Sequence, residues 1–308
     1  MNANYKLQIE NACMERRLLN IDNIGAIEEL LDRESQRLER LQKLKKDNKL
    51  NRGDKVSPGE LKGLFPQICT EVDDFLGVQD GEVPKFGYYN LLRPGLMTTP
   101  VLAMYAISAV QVVSAVTCLI TEQNPDLSNF MNAGIGAMQF ACAALFHSVM
   151  KNPGYNRLLK RVTLQNVART DLIPSAGHEY AHHVQRREGL KDDMYSIFKE
   201  GHARGVEKHI AQDYQQREDN NAFLYDVLNS TVGEFKSAYI WICQKFGHQP
   251  KASLLKTKTS TDIDERVNRL LDKTPTPHAI GNALFSIYEA REGRGIYNDM
   301  IHGNFQFI

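Results

Sequence analysis

Gly177-His178-Glu179-Tyr180-Ala181-His182-His183-Val184-Gln185 is the stretch on which the reading of this chain turns. It contains His-Glu-x-x-His. On a helix, positions i and i+4 share a face about one turn apart, so His178 and His182 can direct imidazole nitrogens at one metal ion. Glu179 is displaced by one residue and flanks that ion without ligating it. A carboxylate there can take a proton from water activated by the metal. Zinc is the expected ion, one per chain, because imidazole and carboxylate suit it and a catalytic site keeps one position open. Pro174 and Ser175 are the start signals for the helix. The bare pattern also arises on solvated helices, so its surroundings matter.

A third protein ligand must come from elsewhere, and the next helix offers Phe198-Lys199-Glu200-Gly201-His202-Ala203-Arg204-Gly205-Val206-Glu207. Glu200, Arg204 and Glu207 lie on one face of it, which also fits an intrahelical salt-bridged surface. His183, His202 and His209 are alternative ligands by residue type. His183 points about 100° away from His182 by helical geometry, which suits a pocket rim or the core.

Taken together, the two segments resemble the gluzincin class of zinc metallopeptidases, whose two-histidine helix is followed by a helix bearing a ligand glutamate. In the aminopeptidase branch that helix reads Asn-Glu-Gly with a second Glu seven residues on. Here Glu200, Gly201, Ala203 and Glu207 fall in that register, with Lys199 in place of the Asn. The resemblance implies that Glu200 is the third zinc ligand and that Glu207 orients a ligand histidine. It implies a zincin-like α+β fold, mostly helical, with a small mixed sheet, an active-site helix, a glutamate helix and a helical C-terminal subdomain. It also implies that the extended run Arg157 to Gln165 is the edge strand that takes peptide by strand addition. His278-Ala279-Ile280-Gly281 resembles a Tyr-x-x-Gly helix start found late in such enzymes, which makes His278 or Tyr288 the donor to the oxyanion. The Gly-x-Met-x-Asn motif that anchors a substrate amino terminus is missing, so an endopeptidase acting on a peptide or protein substrate is expected.

The remaining chain bounds this reading. Its 308 residues balance 37 Lys and Arg against 37 Asp and Glu, which does not favour a nucleic-acid scaffold. With 42% hydrophobic and 24% charged residues it can bury a core. Five scattered cysteines without a Cys-x-x-Cys pair argue for a reducing compartment rather than a disulfide framework. The first residues carry charge too early for a secretion signal, so the expectation is a cytoplasmic protein, or one exported without a classical signal peptide.

Apolar residues at three and four residue spacing between 13 and 50 predict amphipathic helix, broken near Gly25. Residues 1–95 read as an N-terminal helical region and connector, and 96–308 as the metallopeptidase domain, divided into subdomains 96–188 and 189–308. Further helices are expected over 175–188, 194–214, 222–246, 262–271 and 278–292. The runs 94–121 and 127–150 carry no Asp, Glu, Lys or Arg. Each is about the length that spans a bilayer, and their flanking charges obey the positive-inside rule. Against this stand Gln111, Asn132, Gln139 and His147, so a buried helix followed by sheet, with 140–149 extended, is favoured over a membrane hairpin at 96–150. A membrane-embedded zinc peptidase is therefore one rival reading. A non-catalytic zinc-site interaction protein is another. Nothing in the sequence fixes the oligomeric state.

Overall fold

The computed structural model describes residues 22–47, 49–79, 81–88, 98–121, 127–151, 154–156, 160–190, 196–255 and 276–304. It is mostly helical with one small sheet. The helix expected at 262–271 lies outside the described residues. By its contacts the chain divides into Met1–Pro84 with Val167–Ile308, and Lys85–Asn166. The division expected from the sequence fell at 95 and 96.

In the first unit, α1 (Asp22–Lys46) packs against α7 (Ala222–Lys245) and buries Ile27, Leu30, Leu31, Leu38 and Leu41. Gly25 does not break α1, which is continuous through it. One helical glycine costs about 1 kcal/mol relative to alanine, whereas each buried Leu or Ile contributes about 1.5–3 kcal/mol. Helix α2 (Pro58–Leu76) starts with a capping box between Ser57 and Glu60 and ends at Gly77, whose φ of 62° suits glycine. Helix α5 (Arg169–Arg187) begins six residues before the expected Ser175 and runs through Pro174. Helix α6 (Ser196–Glu218) packs against α5, α7 and α9 (Pro277–Glu292). Short helices α8 (Ala252–Leu255) and α10 (Gly295–Ile301) complete the unit.

The second unit holds β1 (Lys85–Tyr88), α3 (Thr98–Thr121), α4 (Leu127–Lys151), β2 (Gly154–Asn156) and β3 (Arg161–Leu164). The strand order is β1-β3-β2. β1 pairs parallel to β3 with Phe86 opposite Val162, and β2 pairs antiparallel with Tyr155 opposite the same residue. The run 157–165 is therefore no edge strand over its described residues. Its middle is the central strand, because a strand from the expected connector occupies the side that peptide was to take. Residues 140–149 are helical, not extended. Phe140-Ala141-Cys142-Ala143-Ala144-Leu145 is rich in alanine, the best helix former.

Helices α3 and α4 pack on each other as a hairpin, with side chains described for 102–117 and 130–144. They are not the buried segment expected: Val110 is 69% exposed, Val113 64% and Met138 62%. Within the described residues, which for these two helices include side chains only over 102–117 and 130–144, no helix is long and apolar enough to cross a membrane.

Candidate metal centre

Two helices and the first turn of a third supply the side chains. Helix α5 carries His178, Glu179 and His182, and its opposite side is pinned to α2. There Tyr180 Oη donates to Asp73 Oδ2 at 3.0 Å and Arg187 Nη2 donates to Asp73 Oδ1 at 3.0 Å. Helix α6 carries Glu200, Arg204 and Glu207. Helix α9 starts on an N-cap, Thr276, whose side chain accepts from the Ala279 amide, so His278 sits in its first turn.

The α6–α9 crossing explains why these parts meet. A Cβ on Gly201 would run into the backbone of Gly281, and a Cβ on Gly281 into the carbonyl of Ile197 and the backbone of Gly201. Only glycine at both positions lets the two backbones touch. Glu200 precedes the first glycine and His278 stands one turn before the second, so the contact brings them together.

Three imidazole nitrogens surround one carboxylate oxygen. Glu200 Oε2 lies 3.6 Å from His178 Nε2, 3.3 Å from His182 Nε2 and 3.0 Å from His278 Nδ1. Ligand bonds of about 2.0–2.1 Å arranged tetrahedrally separate ligand atoms by about 3.3 Å. The group His178, Glu200 and His278 can hold a metal ion. Glu200 Oε2 and His278 Nδ1 are buried and outside hydrogen-bond geometry, a costly state unless a cation neutralises them.

Behind these residues runs a second layer of polar groups, which His178 Nδ1 faces without hydrogen-bond geometry. His178 Nδ1 is 3.4 Å from Glu207 Oε2. Arg204 Nη1 donates to Glu207 Oε2 at 2.6 Å, and its Nη2 donates to Glu234 Oε1 at 2.8 Å. Asn282 Nδ2 donates to Glu234 Oε2 at 2.6 Å. His182 Nδ1 meets Gln185 Oε1 at 3.0 Å, while Gln185 Nε2 donates to the Lys199 carbonyl at 2.8 Å. That orientation of the amide makes Nδ1 the donor and leaves Nε2 of His182 free to ligate. Gln185 and Glu234 had no role in the sequence reading. Gln185 carried a signal, since it follows His182 by three residues on the same helix face. Glu234, on α7, carried none.

Charge is short on the positive side. Among the described residues Arg204 is the guanidinium that faces Glu207, Glu234 and Glu200, so with neutral imidazoles a cation would balance the excess carboxylate charge. Burial disfavours the charged form of His178, yet the carboxylates of Glu200 and Glu207 raise its pKa to about 10. Burial pushes Glu200 up, and His178 and His182 outweigh it, holding the carboxyl well below its ordinary range. Glu207, also opposed by burial, is brought down to about 2 by Arg204 and His178. Glu179 is raised, chiefly by burial. Burial lowers His278.

The alternative ligands have other work. His183 stacks on Tyr180 with ring centroids 5.5 Å apart. His202 is fully buried, its Nδ1 3.1 Å from Gln185 Nε2 and its Nε2 3.1 Å from the Tyr297 carbonyl. His209 stacks on Phe75 at 3.8 Å. Tyr288 is buried on α9, ten residues after His278, about 15 Å further along the helix axis. Of the two expected oxyanion donors, only His278 meets the cluster. No family model, curated protein or solved structure matches the chain.

Proposed function

We propose that the chain is a zinc metallopeptidase of gluzincin type on a zincin-like fold, acting as an endopeptidase on peptide or protein substrates. The observation that carries this reading is the convergence of His178, His182 and His278 nitrogens on Glu200 Oε2, with the buried Glu179 on the adjacent helical position. His178, His182 and Glu200 would hold the ion. Zinc bound there polarises a carbonyl and makes water a nucleophile at neutral pH. Glu179 takes the proton of the attacking water as it adds to the peptide carbonyl, and delivers it to the departing amine. Its pKa is raised, chiefly by burial, the direction that strengthens a carboxylate as a base. His278 donates to the carbonyl oxygen as negative charge develops on it.

Glu179→Gln tests the reading. The variant is expected to keep one zinc per chain by metal analysis and to lose turnover of a mixed peptide library by a factor of about 10²–10⁴. Cleavage as fast as that of the parent chain removes Glu179 from the mechanism.

His278 supports a second reading. Its Nδ1 belongs to the ligand-capable group, and four protein ligands would fill a tetrahedral sphere as structural zinc sites do. The weakness of that reading is Glu179, since a structural site needs no base. His278→Ala separates the two. Loss of activity with zinc content kept fits an oxyanion donor, whereas loss of zinc affinity fits a fourth ligand.

A further inference from the structure

We propose that the α3–α4 hairpin is embedded in a lipid bilayer, an inference that does not rest on the peptidase reading. The starting observation is exposure. Ile107, Val110, Val113 and Val116 on α3 are 53%, 69%, 64% and 44% exposed, and Phe130 and Met138 on α4 are 55% and 62% exposed. Steps of three residues turn a helix about 60° backwards, so the four α3 residues sweep about 180° of its circumference. A helix docking on a protein or on a second copy of this chain shows a narrower apolar stripe, about 100° wide, with polar residues beside it. Lipid contacts a helix all round.

The inside of the hairpin is built for the same solvent. Its buried positions are small: Ser108 and Ala115 on α3, Gly136 and Ala143 on α4, each pair seven residues apart. A Cβ on Gly136 would stand 3.0 Å from Val112 Cγ2 and 3.1 Å from Gln111 Cβ, so the helices approach closely there. Small residues at close crossings hold helices together where hydrocarbon outside removes the hydrophobic drive to associate. Two hydroxyls on α3 are satisfied within the helix, whereas Gln111 Oε1 is buried without a hydrogen-bond partner. Ser108 Oγ donates to the Met104 carbonyl at 2.6 Å and Thr117 Oγ1 to the Val113 carbonyl at 2.8 Å.

Length and charge complete the argument. Helices of 24 and 25 residues are about 36 Å long, against a hydrocarbon core of about 30 Å. The described side chains of α3 cover only 102–117, while the uncharged run in the sequence extends over 94–121. Arg93 precedes the pair, Lys151 ends it and Arg157, Lys160 and Arg161 follow; Glu122 and Asp126 stand in the link. In sequence, basic residues flank the pair and acidic ones lie in the link between its helices, the charge pattern of a hairpin with both chain ends on the cytoplasmic face.

The test uses the full chain, expressed in cells and reconstituted with vesicles of phosphatidylcholine and phosphatidylglycerol. The chain is expected to stay with membranes through alkaline carbonate extraction and to float with the vesicles. Proteinase K is expected to leave a protected fragment containing 98–151 in vesicles and none in their absence. Val110→Glu combined with Met138→Glu is expected to reduce carbonate resistance by at least about tenfold while leaving one zinc per chain. Release of the parent chain by carbonate overturns the proposal, as does a soluble dimer in vesicle-free buffer or digestion without a protected fragment. Zinc content and peptide cleavage report on the other site separately.

Discussion

The α6–α9 crossing and the α3–α4 hairpin use the same device for opposite purposes. At both, a glycine lets two helices approach more closely than side chains allow: Gly201 with Gly281 in one, Gly136 against Gln111 and Val112 in the other. The difference lies in the neighbours. Beside Gly201 stand Glu200 and Arg204, so closeness drives carboxylates, imidazoles and a guanidinium into one buried cluster. Beside Gly136 there is no charge, and the apolar side chains point outward. Glycine sets the distance. The residues next to it decide whether the contact becomes a polar site in a water-facing protein or a neutral seam in an apolar one.

The largest effect expected from breaking this comparison is at Gly201. In Gly201→Ala the new methyl meets the backbone of Gly281, which cannot rotate away, so α9 must move. Overpacking of this kind costs about 1–3 kcal/mol, and His278 leaves Glu200 in the process. The denaturation midpoint and the zinc affinity should fall together. Gly136→Ala meets Val112 Cγ2 and Gln111 Cβ at 3.0 and 3.1 Å and the Ser108 carbonyl oxygen at 3.3 Å, all longer than the contact with the Gly281 carbonyl oxygen at Gly201, so shifts of a few tenths of an ångström suffice. Its cost should be smaller, with zinc affinity unchanged. Equal losses in both variants would mean that the glycines do not define the metal centre.

A smaller effect probes the network that only the first region has. Gln185 is 2% exposed and joins His182, Lys199 and His202 through one amide. Gln185→Leu should lower zinc affinity by about 10–100-fold, as loss of an orienting partner does. It should also cost about 1–3 kcal/mol of stability, because the Lys199 carbonyl loses its donor in a buried place. A zinc titration that matches the parent would show that His182 keeps its orientation without the amide.

The two regions also differ in how much the sequence discloses. His178, His182 and Glu200 are legible because a helical period is local: each pair needs only the spacing of its own helix and one neighbour. The contact of His278 with Glu200 is not, since it depends on two glycines eighty residues apart meeting across a helix crossing. The same holds for β3. Its central position follows from β1, more than seventy residues earlier, pairing beside it. The run 140–149 misleads for a different reason. Helix periodicity shows in a sequence when one face is polar and the other is not, and α4 has no such contrast to show. Gly25 misleads because the packing of α1 outweighs a local preference.

Charge pairing also governs the smallest predicted effect, at the start of α5. Asp171 has a pKa raised to about 6, first by burial and then by a hydrogen bond to Asp226 and repulsion from it; Arg52, 3.9 Å away, acts in the other direction. Because the folded value lies above the ordinary 3.8, the stability this group contributes is fully present below pH 3.8. It is lost as pH rises through about 6. Asp171→Asn keeps the shape of the neutral acid and never ionises. The variant should therefore melt near the parent at pH 4 and above it at pH 7.5. The gain should be on the order of 1 kcal/mol, since solvent at this half-buried position screens much of the repulsion. Arg52 retains Asp226 at 2.6 Å in either case. A difference in melting temperature that stays constant from pH 4 to pH 7.5 would trace the effect to the helix start, where an acid favours the N-terminal dipole by about 0.3–1 kcal/mol. The carboxylate pair would then play no part.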